Sequence, residues 1–124
     1  MKALEEKILK EGQVLPGNVL KVGSFLNQQV DAVFLKEMAK ETRRLFANER
    51  ITKVLTVEAS GIAFATAVAM ELGVPMVFAK KHPSANVSGE QYSAAVYSYT
   101  HKQTYNVAVT KDYLSSADRV LITD

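Results

Sequence analysis

The stretch that decides the fold is ITKVLTVEASGIAFATAVAMELGVPMVFAKK, residues 51–81. Residues 51–58 are rich in β-branched side chains and predict a short buried strand. Residues 62–72 are almost wholly apolar and end before Gly73, which predicts a helix buried on several sides. Residues 74–80 predict a second apolar strand. A strand, a tight turn, a helix and a strand in this order predict a βαβ unit with parallel strands.

The residues on the N-terminal side of this unit predict two helices joined by extended chain. A short amphipathic helix should end near Gly12, and residues 13–30 contain Pro-Gly and short apolar runs that predict extended chain with turns. Asp31 is placed to cap a second helix, which should end near Asn48.

On the C-terminal side, the pattern predicts a hairpin and one more strand. Residues 92–100 and 104–109 are two β-favouring runs, which predict an antiparallel hairpin inserted after the second parallel strand. Residues 115–124 then lead into a third apolar strand, VLITD. With 124 residues and no long linker, we expect a single domain over residues 1–124.

Composition excludes several classes of protein. The chain is 48% hydrophobic and 23% charged, which is typical of a globular domain, and its net charge of +2 is too small to indicate a nucleic-acid surface. It contains no cysteine, which excludes a disulfide framework, a thiol nucleophile and a cysteine-based zinc site. The N-terminus shows no signal peptide, and the longest apolar run is about half of the ~20 residues that a membrane span needs. We therefore expect a soluble protein.

Polar residues follow each of the three predicted parallel strands, and ligands of open α/β sheets bind beyond the carboxyl ends of such strands. The first turn, Glu58–Gly61, opens a helix whose backbone N–H groups suit a phosphate. Gly61 lets the backbone approach an anion, and Ser60 adds a hydroxyl. Lys80 and Lys81 end the second strand, and Asp124 ends the third. On the residues alone, a plain connecting turn and two solvated surface lysines are the favoured interpretation of the first two groups.

Two histidines and several tyrosines give no further indication of chemistry. Neither His82 nor His101 has a partner at the spacing of a metal site or a catalytic triad. The tyrosines are expected to pack within the hairpin, because aromatic side chains favour strands.

The order of these features resembles the type I phosphoribosyltransferases. These enzymes share a strand ending in Glu-x-Ser-Gly, a second strand ending in basic residues, an inserted hairpin, and a strand like VLITD that leads to two adjacent acids. Residues 6–31, 56–84 and 96–100 most resemble the bacterial members of the family that act on xanthine, and residues 19–31 are the most specific part. The resemblance covers essentially the whole chain.

The resemblance implies an α/β fold of the type I phosphoribosyltransferase kind, with flavodoxin-like strand order, an N-terminal base-binding hood and an inserted hairpin. It implies that Leu20 and Asn27 bind the purine base. It also implies a set of residues that bind pyrophosphate and phosphoribosyl pyrophosphate. They are Glu58, Ala59, Ser60, Gly61, Lys80, Lys81, Ser98, Tyr99 and Asp124. No residue is assigned as catalytic and none directly as a metal ligand.

The implied reaction transfers the phosphoribosyl group from phosphoribosyl pyrophosphate to N9 of xanthine, giving xanthosine monophosphate and pyrophosphate. Mg²⁺ accompanies the phosphoribosyl pyrophosphate, and the enzyme is a cytoplasmic homodimer without nucleic-acid or membrane partners. Because the second acid and the phosphate loop of the family would follow Asp124, we expect an N-terminal fragment, truncated after the third core strand and inactive alone. The alternatives are a missing half supplied by another chain and a truncated gene.

Three other functions remain open at this point. The enzyme could prefer guanine or hypoxanthine as its base. The chain could be a phosphoribosyltransferase-like regulator that responds to purines and binds DNA, although no recognition-helix motif precedes the fold. A general nucleotide-binding βαβ module is the third, although neither GxGxxG nor a Walker loop occurs.

Overall fold

The computed structural model describes residues 1–81, 89–98 and 102–124. The chain divides into two compact units, residues 1–49 and residues 50–124. The expectation of a single domain, incomplete at its C-terminus, remains a prediction. Within the described residues no helix combines the length and the apolar character needed to cross a membrane.

The first unit consists of two helices, a small hairpin and a π-helical turn. In chain order they are α1 (Lys2–Glu11), β1 (Gln13–Leu15), β2 (Val19–Lys21), the π-helical turn (Gly23–Asn27) and α2 (Ala32–Leu45). β1 and β2 pair antiparallel around a turn in which Gly17 has φ +82°. The predicted extended chain is thus confirmed for the hairpin, but the π-helical turn was not foreseen.

Aromatic rings and one lysine hold the first unit together. Phe25 of the π-helical turn is 1% exposed and meets Phe34 of α2 edge-to-face, with ring centroids 6.0 Å apart. The Lys7 ammonium of α1 lies 5.4 Å and 5.0 Å from the two ring centroids. The same ammonium donates to Asp31 at 2.9 Å and to Glu11 at 3.2 Å. One side chain therefore ties both helices to the turn between them.

Asp31 caps α2 as predicted, because its carboxylate accepts a hydrogen bond from the Phe34 N–H at 3.0 Å. The hydrogen bond from Lys7, and after it the bond from Phe34, hold the pKa of Asp31 below its usual value. The hydrogen bond to Asp31 correspondingly raises the pKa of Lys7. α2 ends at Leu45, three residues before the predicted end.

The second unit is built on three parallel strands in the order β4-β3-β7. Its elements are β3 (Lys53–Val57), α3 (Gly61–Leu72), β4 (Met76–Ala79), β5 (Gln91–Ser98), β6 (Gln103–Thr110) and β7 (Val120–Ile122). β3 pairs parallel with both neighbours, so the βαβ unit and the third strand are confirmed. The carboxyl ends of all three strands lie along one edge of the sheet.

The two faces of β3 pack against different elements. Val54 and Thr56 are 0% and 1% exposed, and Thr56 lies beneath the start of α3. Leu55 and Val57, which point to the opposite face, pack against a cluster formed by Ala79 of β4 and two valines of β6. The alternation follows from the two-residue period of a strand.

α3 is less covered than its sequence predicts. Ala65, Val68 and Ala69 are buried, but Met70 is 78% exposed. The expectation of burial on several sides is therefore wrong for the outer face of this helix. Packing of one face against the sheet is sufficient to hold this apolar helix in place. Gly73 ends α3 in the left-handed conformation (φ +69°).

The inserted hairpin is confirmed. β5 and β6 pair antiparallel from Gln91 with Thr110 to Ser98 with Gln103. The hairpin is attached to β4 because Lys80 and Ala108 exchange two backbone hydrogen bonds of 2.9 Å. β6 therefore lies beside the carboxyl end of β4, although β5 and β6 form a two-stranded sheet of their own.

Candidate active site

The turn between β3 and α3 presents a helix N-terminus at the edge where the strands end. Ala59 and Ser60 are exposed, and Ser60 occupies the N-cap position without a side-chain capping hydrogen bond. The peptide bond between Glu58 and Ala59 is cis. The first N–H groups of a helix have no partner within the helix, so this turn offers donors and a positive dipole end to an anion.

Glu58 ties this turn to the end of β4. Its N–H donates to the Ala79 carbonyl at 3.0 Å, and its carboxylate Oε1 accepts from the Lys81 N–H at 2.7 Å. One carboxylate oxygen is thus held by the protein. The assignment of Glu58 as a pyrophosphate ligand remains a prediction. In the structure, Glu58 also connects the end of β3 to the end of β4.

Asp124 and Gly61 are in contact, although 62 residues separate them in the chain. A Cβ placed on Gly61 would come closer to Thr56 Oγ1 and to Asp124 Oδ1 than real Cβ atoms come to any neighbour. The carboxylate after β7 therefore lies directly against the N-terminal residue of α3. The absence of a side chain at position 61 is required by this internal packing as well as by any approach of a ligand.

Lys80 and Lys81 point into different surroundings, as neighbours in an extended chain do. Lys80 is exposed and lines a cavity of about 520 Å³ between β4 and the hairpin. Lys81 is half-buried, and its ammonium lies 5.7 Å from the centroid of the Tyr105 ring of β6. The ammonium of Lys81 is therefore associated with the hairpin, whereas Lys80 borders the cavity.

Part of the predicted site lies outside the described residues. Ser98 is described in its backbone only, which pairs with Gln103 at the end of β5. Tyr99, His82 and His101 lie outside the described residues. The predicted phosphate role of Ser98 and Tyr99 remains a prediction.

The two predicted base-binding residues belong to the first unit. Leu20 lies on β2 opposite Val14 and is 42% exposed, so it is not part of the core of that unit. Asn27 is exposed at the end of the π-helical turn, which Phe25 anchors by its burial. Both side chains are open to solvent, as ligand-contacting residues are before binding, and their assignment remains a prediction.

Two buried hydroxyls at the edge of the sheet were missed from the sequence. Among the described residues, Thr56 Oγ1 and Thr123 Oγ1 are buried and have no hydrogen-bond partner. Leaving such a group unpaired costs about 1–3 kcal/mol. Their alternation with Val54 and Leu121 in buried strands is the pattern that could have identified them, because a threonine in such a position brings a polar atom into the core.

A loop before β7 is held by another carboxylate. Asp118 accepts hydrogen bonds from the Ser115 N–H and the Thr52 hydroxyl, both at 2.9 Å, and pairs with Lys53 at 3.3 Å. The hydrogen bond from Ser115, and after it that from Thr52, lowers the pKa of Asp118. This arrangement fixes where β7 begins, and hence how far it extends toward the site.

A protein-bound metal ion is usually held by several side chains that lie close together. In residues 1–81, 89–98 and 102–124, no group of three or more His, Cys, Asp or Glu side chains could hold one. Mg²⁺ commonly binds through one or two carboxylates together with substrate oxygens. The exposed Asp124 carboxylate fits a metal ion that arrives with a phosphorylated substrate.

Known structures share this architecture. APRTase from Giardia lamblia, complexed with 9-deazaadenine, matches 92% of this chain and 63% of its own with a TM-score of 0.73 and 22% identity. Adenine phosphoribosyltransferase from Trypanosoma brucei matches 96% of this chain and 53% of its own, with a TM-score of 0.71 and 18% identity. The fold is the type I phosphoribosyltransferase fold. The predicted fold class is confirmed.

Relatives with closer sequences are named xanthine phosphoribosyltransferase. The protein of that name from Lachnoclostridium phytofermentans is 52% identical over all 124 residues, and that from Lactobacillus johnsonii is 55% identical over the same length. This chain spans 64% and 65% of the length of these two curated relatives. No protein-family model matches the chain. The predicted resemblance to phosphoribosyltransferases that act on xanthine is confirmed.

Proposed function

We propose that this chain is part of a xanthine phosphoribosyltransferase of purine salvage. The observation that supports this most strongly is 52% identity over the full 124 residues to a protein of that name. The contact between Asp124 and Gly61 adds independent support, because a ribose-binding acid and a pyrophosphate-binding turn must be neighbours in such a site. The reaction joins N9 of xanthine to C1 of the ribose and releases pyrophosphate.

In this proposal the turn after β3 binds the departing pyrophosphate. Negative charge grows on this group as its bond to C1 breaks, and N–H groups at the start of α3 stabilise it. Ser60 adds a hydroxyl donor, and Lys80 and Lys81 contribute positive charge beside the end of β4. Closing of the hairpin over the substrates would exclude the water that competes with the base.

Asp124 accepts hydrogen bonds from the ribose hydroxyls in this proposal. Mg²⁺ bound with phosphoribosyl pyrophosphate would neutralise phosphate charge, and the Asp124 carboxylate would help to hold it. The protein's own contribution is to keep one carboxylate next to the helix N-terminus, so that the ribose and the pyrophosphate are oriented together.

Leu20 and Asn27 would select the base. A carboxamide has two donors and one acceptor, so Asn27 can pair with a purine carbonyl and a ring N–H. Xanthine carries an oxygen at the position where guanine carries an amine, so a donor there favours xanthine. A homodimer in the cytoplasm completes the proposal.

The test uses a chimera in which these 124 residues replace the stretch that they match in the Lactobacillus johnsonii relative. Xanthosine monophosphate is measured with xanthine, guanine and hypoxanthine in competition, and we expect xanthine to be used first. Asn27→Ala should lower kcat/KM for xanthine about tenfold through the lost hydrogen bonds. Asn48→Ala, at an exposed position after α2, is the matched control and should have no effect.

Two outcomes would contradict the proposal. Faster formation of guanosine or inosine monophosphate would show that the base assignment is wrong. A chimera that folds and binds pyrophosphate but forms no nucleotide from any of the three bases would show that the activity is wrong.

A further inference from the structure

Three groups meet at one point beneath the start of α3. The space that a Cβ of Gly61 would fill is bordered by Thr56 Oγ1 and Asp124 Oδ1. Thr56 is 1% exposed, whereas Asp124 is exposed overall. One oxygen of the Asp124 carboxylate is therefore turned inward against the helix, next to a buried hydroxyl.

The Thr56 hydroxyl contributes no hydrogen bond to the fold of the described residues. A valine has nearly the same shape and would avoid the burial of an unpaired polar group. Val54, two residues earlier on the same face of β3, is such a residue. The hydroxyl at position 56 thus reduces stability, and residues of this kind are concentrated at functional sites.

The carboxylate of Asp124 is the acceptor that this hydroxyl can reach. A threonine hydroxyl donates one hydrogen bond and an ionised carboxylate only accepts, so the two groups are complementary. Because both oxygens border the same point above Gly61, a small rotation of either side chain brings them together. Gly61 makes this possible, since any side chain there would separate them.

We propose that Thr56 is a positioning residue that fixes the side-chain rotamer of Asp124. Its hydroxyl holds Oδ1 of the carboxylate inward, and the other carboxylate oxygen is left for the ligand. Only the identity of that ligand, a phosphorylated ribose, rests on the function proposed above. The positioning itself follows from the contacts among Thr56, Gly61 and Asp124.

The first experiment needs no ligand. Three-bond couplings between Hα and Hβ of Asp124 are measured by NMR in the 124-residue chain and in Thr56→Val, Thr56→Ser and Thr123→Val. We expect one rotamer in the wild type and in Thr56→Ser, which keeps the hydroxyl, and rotamer averaging in Thr56→Val. Thr123→Val is the matched control, because it removes an equally buried unpaired hydroxyl that is not among the three atoms nearest the Gly61 position.

Averaged couplings already in the wild type would overturn the proposal, as would a single rotamer in Thr56→Val. Thr123→Val should unfold at a higher urea concentration than the wild type, because it loses an unpaired buried hydroxyl. Thr56→Val should unfold near the wild-type urea concentration, because the hydrogen bond to Asp124 that it loses is offset by the removal of a buried polar group. A change in the rotamer of Asp124 without loss of stability therefore separates positioning from a general loosening of the fold.

The second experiment compares two ligands by calorimetry, phosphoribosyl pyrophosphate with Mg²⁺ and pyrophosphate with Mg²⁺. Thr56→Val should weaken binding of the first about fivefold and leave the second unchanged, because only the first has ribose hydroxyls. Equal weakening of both ligands would contradict the positioning role. These titrations use the chimera with the Lactobacillus johnsonii relative, which supplies the residues that follow Asp124. If the wild-type chimera binds neither ligand, the proposed function fails, and the NMR couplings alone decide the role of Thr56.

Discussion

Replacing Gly61 by alanine tests the contact on which the candidate site depends. At most helical positions this change stabilises a protein by about 0.4–1 kcal/mol, because it reduces the freedom of the unfolded chain. Here the new methyl group would overlap Thr56 Oγ1 and Asp124 Oδ1. Thr56 is held within a central strand and cannot move away, so the usual gain should be reversed.

The magnitude follows from the cost of overpacking, which is about 1–3 kcal/mol for an extra methyl group in a filled space. Asp124 is exposed and can give way at small cost, so most of the strain falls on Thr56. Subtracting the usual gain leaves a net destabilisation of about 1.3 kcal/mol at the middle of both ranges.

The assay is urea unfolding followed by tyrosine fluorescence. All five tyrosines belong to residues 50–124 and the chain has no tryptophan, so this fluorescence reports on the second unit. The matched control is Gly23→Ala in the π-helical turn, where the atoms nearest to the new methyl belong to the flexible side chain of Gln28, at 3.4 Å and beyond. The control should leave the tyrosine transition unchanged.

A double-mutant cycle identifies the partner of the new methyl group. In a Thr56→Ala background the overlap with Oγ1 is gone, so Gly61→Ala should cost about 1 kcal/mol less than in the wild type. Equal costs in the two backgrounds, or a Gly61→Ala protein more stable than the wild type, would refute the packing explanation.

Three further substitutions test other parts of the structure. Asp31→Asn should destabilise the first unit at neutral pH, because Lys7 holds the folded-state pKa of Asp31 below its usual value. The stability that the Asp31 carboxylate supplies is complete above its unfolded-state pKa and is lost as pH falls through the lower folded-state pKa. The difference in unfolding free energy between variant and wild type, measured in urea, should therefore shrink in acid. A difference that stays constant with pH would contradict this. Val54→Ala should lower the free energy of unfolding by about 2 kcal/mol, since a fully buried side chain loses two methyl groups. A change near zero in the transition detected by tyrosine fluorescence would show that β3 is not central to the core. Asp118→Ala should speed hydrogen exchange at the Ser115 amide, whose acceptor is removed; unchanged exchange would show that the loop is held by other contacts.

The βαβ unit, the third strand and the inserted hairpin could be predicted from sequence because each depends on local patterns. β-branched runs mark β3 and β7, and Asp31 before an apolar stripe marks the start of α2. The π-helical turn Gly23–Asn27 could not be predicted. Five residues are too few to show a period, and the turn is held by the burial of Phe25, which is a tertiary contact.

The candidate site could be predicted only in part, for a related reason. The turn at Glu58–Gly61 and the acid at Asp124 follow from where strands end, so their shared edge was expected. The unpaired hydroxyl of Thr56 and the tie from Glu58 to Lys81 depend on which atoms meet after folding. The spacing of residues in the chain contains no information on such contacts.

The register between β3 and β7 determines the distance between Asp124 and Gly61. Leu55 lies opposite Ile122, and the Thr123 N–H donates to the Leu55 carbonyl at 3.0 Å. A shift of two residues would move Asp124 about 6.6 Å along the strand, away from the start of α3. A shift of one residue would turn the buried Leu121 to the other face of the sheet. The burial of Leu121 beside Val54 therefore excludes the one-residue shift, and the contact of Asp124 with Gly61 requires that the two-residue shift does not occur. The position of the carboxylate is in this way a consequence of core packing two to three residues away from it.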